Sequence, residues 1–396
     1  MLNNVRHNKV GVSFHYSSNF DSHLRRLIKT FWNLPTSLIY FLSIEQNIFG
    51  VYPKNKKPVY LFTLKNDVGM TVKITNYRAA ITSIIIPNKD NKPTDVVLGY
   101  NTFDQYWHDS ETFFGAIVGR YANRISNANM VLHKQSYSLP IHNSGDFTLH
   151  SGQDGFNKAL WEPSVLEMED GIVLTLKYTS PDGEQGFPGN LNTIVSYKLD
   201  KDTYTLEINY TATTDQDTYI NLTNHVYFNL TGEGTGVINN QEILINADYF
   251  TPTNKKQLPT GEIKSVENTP FDLRKRTPMG ENIDSTHPQM IIGKGYDHNF
   301  ILRKEYPGDL SLAAQIFSPD SGIMLTLSTT EPGMQFYTGN FLNKNIIGKN
   351  GHVYSERTGF ALETQHYPDS LHFNHFPSTL LKAGETYTQK TIYSFS

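Results

Sequence analysis

The chain has 396 residues, of which 38% are hydrophobic and 18% are charged, and its formal net charge at pH 7 is −4. This length supports one large domain or two ordinary ones. The near-neutral charge gives no basic face, so we expect neither a nucleic-acid partner nor stable membrane insertion. The chain contains no cysteine, which excludes disulfides, thiolate nucleophiles and cysteine-ligated metals but leaves the compartment open.

The first 55 residues differ from the rest. A basic run at residues 23–29 precedes a mostly apolar run at residues 31–42. This order is typical of an export signal, but Asn33 and Pro35 interrupt the apolar run and no cleavage motif follows. The run is also shorter than the roughly 20 residues of a membrane helix. We therefore expect residues 1–55 to be a poorly ordered extension and the protein to be cytoplasmic; a periplasmic or secreted protein requires that this segment act as a signal.

From residue 59 onward the sequence alternates as β-strands do. Residues 172–178 and 203–210 each place apolar side chains at every second position. Shorter strands are predicted at residues 71–74, 81–86, 243–245, 323–328 and 389–394. Turn sequences separate these segments, and neither a long amphipathic helix nor a repeat of fixed period interrupts them. The pattern predicts one all-β antiparallel domain over residues 56–396.

Residues 221–230, Asn-Leu-Thr-Asn-His-Val-Tyr-Phe-Asn-Leu, are predicted to form a strand because β-branched and aromatic residues dominate. Three asparagines and His225 are unusual there, since buried amides and imidazoles are costly without partners. The segment therefore favours the wall of a polar cavity. We expect Asn221, Asn224 and Asn229 to be amides that hold His225 in place.

Other polar groups allow two interpretations each. Arg120 and Arg124, with Asn123 between them, form either a solvated loop with an ion pair or an arginine fork for hydroxyls or an oxyanion. His150, before a glycine turn, is by itself more often structural.

Asp297 opens a predicted strand, and Gln335 lies in a mixture of amides and aromatics that is common in carbohydrate sites. Glu363 follows an apolar run, so burial should raise its pKa and suit it to act as a general base; the alternative is a satisfied carboxylate at a strand edge.

Three clustered histidines could suggest a metal site: His366, His372 and His375. Their spacing fits no compact pair of ligands on a strand or helix, and nearby prolines indicate loop. We expect no metal. The remaining groups, a histidine, carboxylates, an arginine, amides and aromatics, suit proton transfer on a neutral polyol.

In this order and spacing, the motifs resemble those of the aldose 1-epimerase (galactose mutarotase) family. The resemblance starts at about Val59 and reaches the C-terminus, and it rests on an ordered series of segments: residues 119–125, 149–150, 180–183, 221–229, 271–274, 297–299, 335–341 and 362–365. It implies a large antiparallel β-supersandwich, an aldose sugar as substrate and no cofactor. The sequence does not determine whether the protein is a monomer or a homodimer.

The resemblance also implies roles for individual residues. Glu363 is the general base that takes the proton of the anomeric hydroxyl, and His225 is the general acid that protonates the ring oxygen. The implied sugar-binding residues are Asn123, Arg124, His150, Tyr227, Asp297 and Gln335. Ser151, Phe147 and Val226 depart from the family's usual residues. Two alternatives remain open: a hexose-phosphate epimerase or paired-carboxylate glycosidase, and a sugar-sensing domain without catalysis.

Overall fold

The structure is a computed structural model, and it describes residues 42–143 and 145–396. Most of these residues form antiparallel strands. The strands of the first half are β1 (Ser43–Val51), β2 (Pro58–Lys65), β3 (Thr71–Thr75), β4 (Ile81–Pro87), β5 (Pro93–Asp95), β6 (Ile117–Val118), β7 (Arg124–Ser126), β8 (Asn129–Leu132), β9 (Gln135–Ser138), β10 (Phe147–Leu149), β11 (Glu162–Met168), β12 (Gly171–Ser180), β13 (Leu191–Asp200) and β14 (Thr205–Thr214).

The second half continues in the same way. Its strands are β15 (Thr218–Tyr219), β16 (Thr223–Asn224), β17 (Tyr227–Phe228), β18 (Glu242–Ile245), β19 (Ala247–Thr251), β20 (Lys264–Ser265), β21 (Thr277–Pro278), β22 (Asp297–Leu302), β23 (Ser311–Phe317), β24 (Met324–Thr329), β25 (Gly333–Tyr337), β26 (Ile346–Ile347), β27 (Val353–Tyr354), β28 (Phe360–Gln365), β29 (Leu380–Leu381) and β30 (Thr386–Phe395). Two short helices, α1 (Phe103–His108) and α2 (Pro288–Gly293), lie between strands.

Three sheets make up the body of this domain. A nine-stranded sheet has the order β11-β12-β13-β14-β30-β24-β23-β18-β21, a six-stranded sheet has the order β17-β28-β25-β22-β19-β20, and β1 to β5 form a five-stranded meander. Side chains from all three sheets, including Phe62, Leu174, Leu206, Phe336 and Leu362, share one buried apolar core. The all-β prediction is confirmed, and the alternation predicted for residues 172–178 lies in β12, where Ile172, Leu174 and Leu176 are buried and Tyr178 is half-buried.

The N-terminal prediction needs one correction. Strand β1 pairs with β2 along its length, so residues 43–51 belong to the five-stranded sheet rather than to the extension. Its side chains are half-buried or exposed throughout, so no alternation of apolar residues marks the strand. Residues 1–41, including the basic run, lie outside the described residues, and the extension and its export alternative stay predictions. Over residues 42–143 and 145–396, no helix has the length and apolar character needed to cross a membrane.

Candidate active site

A cavity of about 310 Å³ opens over one face of the six-stranded sheet. Most of the side chains predicted to form a site line it: Asn123, Arg124, His150, His225, Tyr227, Asp297 and Glu363. These residues come from distant parts of the sequence, yet the fold brings them to one wall. Gln335 was also predicted to contact a ligand; it is not among the lining residues, and its Nε2 donates to Asp297 Oδ1 at 2.7 Å.

Strand register explains how the sheet assembles this wall. Gln335 on β25 lies opposite Glu363 on β28, and Asp297 on β22 lies opposite Tyr337 on β25. Residues that face each other in an antiparallel pair point to the same side of the sheet, and side chains alternate along each strand. The acidic and amide groups therefore share the cavity face, while alternate residues such as Phe336 and Leu362 are buried in the apolar core.

His225 stands between two short strands instead of inside one. The predicted strand over residues 221–230 is therefore wrong as a continuous element: only β16 and β17 are strands, and they pair with β6 and β28 respectively. Asn224 causes the break, because its Oδ1 accepts the N–H of Val226 at 3.1 Å in a local turn. The backbone of His225 is held by Gly115 and Ala116, at 2.9 Å in each case.

The imidazole of His225 faces Glu363, with 3.6 Å between Nε2 and Oε1. It lies between two aromatic rings, with centroids 4.9 Å from Tyr227 and 5.9 Å from Phe113, and both are nearly parallel to it. His225 Nδ1 and Glu363 Oε2 are buried without a hydrogen-bond partner among the described residues. Since buried polar atoms are nearly always paired, the two groups are poised to meet a ligand or water.

Burial controls the ionisation of this pair. It raises the pKa of Glu363 to about 8, with the nearby Asp297 carboxylate adding to the effect and Arg124 opposing it. Burial also lowers the pKa of His225 to about 4. At neutral pH the contact therefore joins a carboxylic acid to a neutral imidazole instead of forming an ion pair, and the pair together carries one proton that can be exchanged.

His150 is fixed as a hydrogen-bond donor. Its Nδ1 accepts the backbone N–H of Asn123 at 3.1 Å, so the proton of the neutral imidazole lies on Nε2. Burial, with the neighbouring His225 and Arg124, holds the pKa of His150 well below its usual value. The backbone of His150 also donates to the Asn123 carbonyl at 2.9 Å, which joins the two residues into one rigid unit.

The same tautomer disfavours a metal ion. His150, His225 and Glu363 bring one potential ligand atom each to within 4.8 Å of one another. A metal-bound histidine normally donates its second ring N–H to an acceptor. In His150 that second nitrogen instead accepts from Asn123, so metal binding at Nε2 would set two N–H groups against each other. These residues do not fit a metal.

Arg124 supplies the positive charge of the cavity. Its Nη2 donates to Gln257 Oε1 at 2.8 Å and lies 3.5 Å from Asp297 Oδ2. Its Nε is buried without a partner in the described structure. Arg120 lies elsewhere: its guanidinium binds the Ser180 hydroxyl and nearby backbone carbonyls. The two arginines therefore do not form a fork together. The solvated-loop alternative is also wrong, because both side chains are buried.

The asparagines around His225 are occupied by backbone groups. Asn224 Nδ2 donates to the Gly115 carbonyl at 3.0 Å, so it does hold the turn of His225. Asn221 instead joins the backbone of His366, and Asn229 binds the carbonyls of Gly236 and Thr358. The amide prediction is correct for Asn224 alone.

The three clustered histidines have separate partners. His366 binds Glu331, His372 binds Asp369, and His375 binds the Gly261 carbonyl.

Several lining residues were not predicted. Phe113, which covers both His225 and His150, comes from an apolar stretch with no polar marker. Gln257 lies in a lysine-rich turn that reads as solvated loop. Both reach the cavity through long-range folding, so neither carries a local signal. Tyr337 could have been found, since it lies next to Gln335 in a mixed amide and aromatic segment.

Known proteins match most of this chain. The family model described as aldose 1-epimerase matches residues 60–394. Galactose mutarotase of Sus scrofa is 41% identical over 355 residues, which cover 90% of this chain and 99% of that protein. Aldose 1-epimerase of Escherichia coli (strain K12) is 36% identical over 341 residues, covering 86% and 96%. The crystal structure of galactose 1-epimerase from Lactobacillus acidophilus NCFM is 28% identical, covers 90% and 99%, and has a TM-score of 0.78.

Proposed function

The chain belongs to the aldose 1-epimerase family, and on that premise we propose that it interconverts the α and β anomers of an aldohexose through Glu363 and His225. The observation that carries this proposal is the contact between these two groups. A buried carboxyl and a buried imidazole face each other 3.6 Å apart in a cavity otherwise lined by sugar-binding types of side chain.

The proposed reaction moves two protons in each direction. Glu363 takes the proton of the anomeric hydroxyl while His225 gives a proton to the ring oxygen, and the C1–O5 bond breaks to leave the open-chain aldehyde. Rotation about C1–C2 presents the other face of the carbonyl to the C5 hydroxyl. In ring closure His225 takes the proton of the C5 hydroxyl and Glu363 gives its proton to the carbonyl oxygen, so both residues return to their starting states without a cofactor.

The reaction requires that Glu363 and His225 together carry one exchangeable proton. With the pKa of Glu363 raised to about 8 and that of His225 lowered to about 4, the pair holds that single proton across the neutral range. In the empty site it rests on the carboxyl, and the reacting arrangement places it on the imidazole. Titration of coupled groups reports the pair, so the pH profile measures this proton count and not its location.

The other lining residues would bind the sugar. His150 Nε2 and the Arg124 guanidinium are donors, and the Asp297 carboxylate accepts from hydroxyls; the Tyr227 ring offers an apolar surface beside His225. Asn123 and Gln335 complete the proposed set, Gln335 with Asp297 as its observed partner. A monomer or homodimer in the cytoplasm remains the expectation from the sequence.

The alternatives receive less support. A phosphosugar site needs several cations near the ligand. Among the described residues that line the cavity, Arg124 is the single arginine or lysine. A glycosidase needs two positioned carboxyls; here Asp297 is already bound by Arg124 and Gln335. A sugar sensor does not require a carboxyl facing an imidazole at all.

Polarimetry on freshly dissolved α-D-glucose and α-D-galactose tests the proposal. The wild-type protein should accelerate equilibration of at least one sugar, and His225→Asn should remove about 10²- to 10⁴-fold of that acceleration. Binding of sugar without acceleration by the wild type would support the sensor instead. A preference for hexose 6-phosphate would support the phosphosugar alternative.

A further inference from the structure

Two neighbouring rows of residues on the face of the six-stranded sheet that carries Glu363 contain buried polar side chains. Glu363, Gln335 and Asn299 are opposite one another on β28, β25 and β22. In the next row of the same face, Gln365 on β28 lies opposite Gly333 on β25. Alternation along the strand places Gln365 on the same side as Glu363, about 7 Å away. Neither Gln365 nor Asn299 lines the sugar cavity.

These two rows contain an unusual concentration of unpartnered atoms. Within the described structure, Glu363 Oε2, Gln335 Oε1, Asn299 Oδ1 and both amide atoms of Gln365 are buried without a hydrogen-bond partner. Gln365 has no exposed surface, and Asn299 is 1% exposed. An orphaned buried polar group costs about 1–3 kcal/mol. Five such atoms on three adjacent strands therefore indicate a common partner.

Gly333 lies among these groups, where a side chain would clash with its neighbours. A Cβ atom at this position would lie 2.5 Å from Asn299 Oδ1 and 2.9 Å from Tyr367 Cδ1. A glycine at this position therefore allows the Asn299 amide and the Tyr367 ring to pack closely against the strand. We call the region around Gly333 on this face, with Glu363, Asn299, Gln365 and Tyr367, the Gly333 recess.

The polar groups of the recess define what it can hold. Four of the unpartnered atoms are oxygens, and the Gln365 NH₂ is the one donor group among them. These atoms need a partner that can both donate and accept hydrogen bonds. Water supplies two donors and two acceptor sites in the smallest volume. Water can therefore connect the Gln365 amide to the carboxyl of Glu363, a link that no direct hydrogen bond makes among the described residues.

We propose that Gln365 is a positioning residue for Glu363 and acts through ordered water in the Gly333 recess. This inference rests on the proposed role of Glu363 as the base. Oε1 of Glu363 lies toward His225, and Oε2 is the oxygen that the recess water binds. Holding Oε2 fixes the carboxyl plane, and the water donates to the carboxylate whenever Glu363 is ionised.

Other groups that act on Glu363 are not changed by substitution of Gln365. The charged and titratable groups around the carboxyl are Asp297, Arg124, His225, Tyr227, Tyr337 and Tyr393. A shift in Glu363 titration in a Gln365 variant therefore reports the recess.

Gln365→Leu replaces the amide with an apolar group of similar size. We expect kcat to fall roughly tenfold, the value of one hydrogen bond to a charged group, with KM changed less than about twofold because Gln365 does not line the cavity. The alkaline limb of the pH profile should move to higher pH, since the carboxylate loses a donor. Gln365→Asn keeps an amide and should recover part of kcat.

Thr364→Val is the matched control. Thr364 is the neighbour on the same strand, but it points to the opposite face and shares a 2.7 Å hydrogen bond with Thr391. This variant should perturb the strand without changing kcat or the alkaline limb. An equal loss in both variants would mean that Gln365 has only a structural role.

A measurement independent of activity separates this inference from the proposed function. The carbonyl band of the protonated Glu363 carboxyl, assigned by its loss in Glu363→Gln, can be titrated by infrared spectroscopy. Its midpoint should lie at higher pH in Gln365→Leu than in wild type. If the wild type does not catalyse mutarotation but this midpoint shifts, the proposed function is wrong and the positioning role of Gln365 is supported. An unchanged midpoint in folded Gln365→Leu overturns the inference.

The wild-type protein offers a direct test as well. A high-resolution crystal structure should show ordered water within hydrogen-bond distance of the Gln365 amide and Glu363 Oε2. A recess closed by a direct contact between the two side chains would contradict the proposal.

Discussion

Arg120 and Arg124 are close in the sequence, and both are buried, yet they belong to different parts of the protein's chemistry. Arg120 has three nitrogens bonded to the hydroxyl and carbonyls of one neighbouring loop, so its hydrogen-bonding capacity is used inside the fold. Arg124 faces the cavity, with its Nε unpartnered among the described residues. Burial does not distinguish the two arginines; the partners of their donors do.

The same contrast separates two buried carboxyls. Glu363 has an unpartnered oxygen and faces the sugar cavity, whereas Glu331 binds His366 at 2.6 Å beside a larger depression of about 1150 Å³. Their exposed fractions are 3% and 2%. If unsatisfied polar groups mark the reactive region, replacing each of these two carboxyl groups should affect a different property of the protein.

The largest expected effect is therefore on catalysis by Glu363→Gln. This change keeps the size of the side chain but removes the base, and the rate of mutarotation should fall by about 10²- to 10⁴-fold. Polarimetry on freshly dissolved sugar measures the loss, and thermal unfolding should show that the variant is as stable as wild type or more so at pH 7.

Glu331→Gln is the matched control. It should lower the free energy of unfolding by about 1–3 kcal/mol, because the half-buried partner His366 loses its charged acceptor, while kcat of the folded protein is unchanged. Loss of kcat in Glu331→Gln without loss of stability would break the comparison.

Substitution of Arg124 should affect activity and substitution of Arg120 should affect stability, and the effect on rate should be smaller than that of Glu363→Gln. Arg124→Met removes the proposed charge-assisted contact with the sugar and should lower kcat/KM by roughly 10- to 100-fold. Arg120→Met should instead cost about 3 kcal/mol of stability, since several buried carbonyls lose their donor. Denaturant unfolding and steady-state kinetics on both variants give the two readouts. Equal kinetic defects in the two folded variants would show that the two arginines act as one unit.

The pH dependence tests the charges around Glu363. Activity needs one proton on the pair: below pH about 4 His225 binds a second, and above about 8 Glu363 loses the first. The profile of kcat/KM should thus be bell-shaped between these limits. After burial, Asp297 is the main cause of the raised pKa of Glu363. Asp297→Asn should therefore move the alkaline limb to lower pH, by about one unit.

A control for that shift is Asp95→Asn, which changes a carboxylate that binds Lys349. Its alkaline limb should coincide with the wild-type limb. An Asp297→Asn profile with an unmoved limb would mean that Asp297 affects the sugar alone.

How far the sequence predicts this site depends on where each signal lies. The strands of the sheet follow from alternation, and the ordered motifs locate His225 and Glu363. The break at Asn224 was missed because a side-chain turn overrides strand propensity there. Gln257 and Phe113 carry no local mark, since only tertiary folding brings a polar residue of a lysine-rich turn to Arg124 or an apolar ring to His225. The partners of Arg120 were equally hidden, because they lie in a loop far along the chain.

The smallest effect is expected at Phe147, which lines the cavity and whose ring centroid lies 5.6 Å from that of His142. Phe147→Asn adds a hydrogen-bonding group beside the sugar and should lower KM by less than about tenfold for the aldose whose hydroxyl reaches it. We expect kcat not to change. Kinetics with glucose and galactose, with Phe147→Leu as an apolar control, measure the preference. A fall in kcat with constant KM would instead place Phe147 with Glu363 among the groups that act on the transition state.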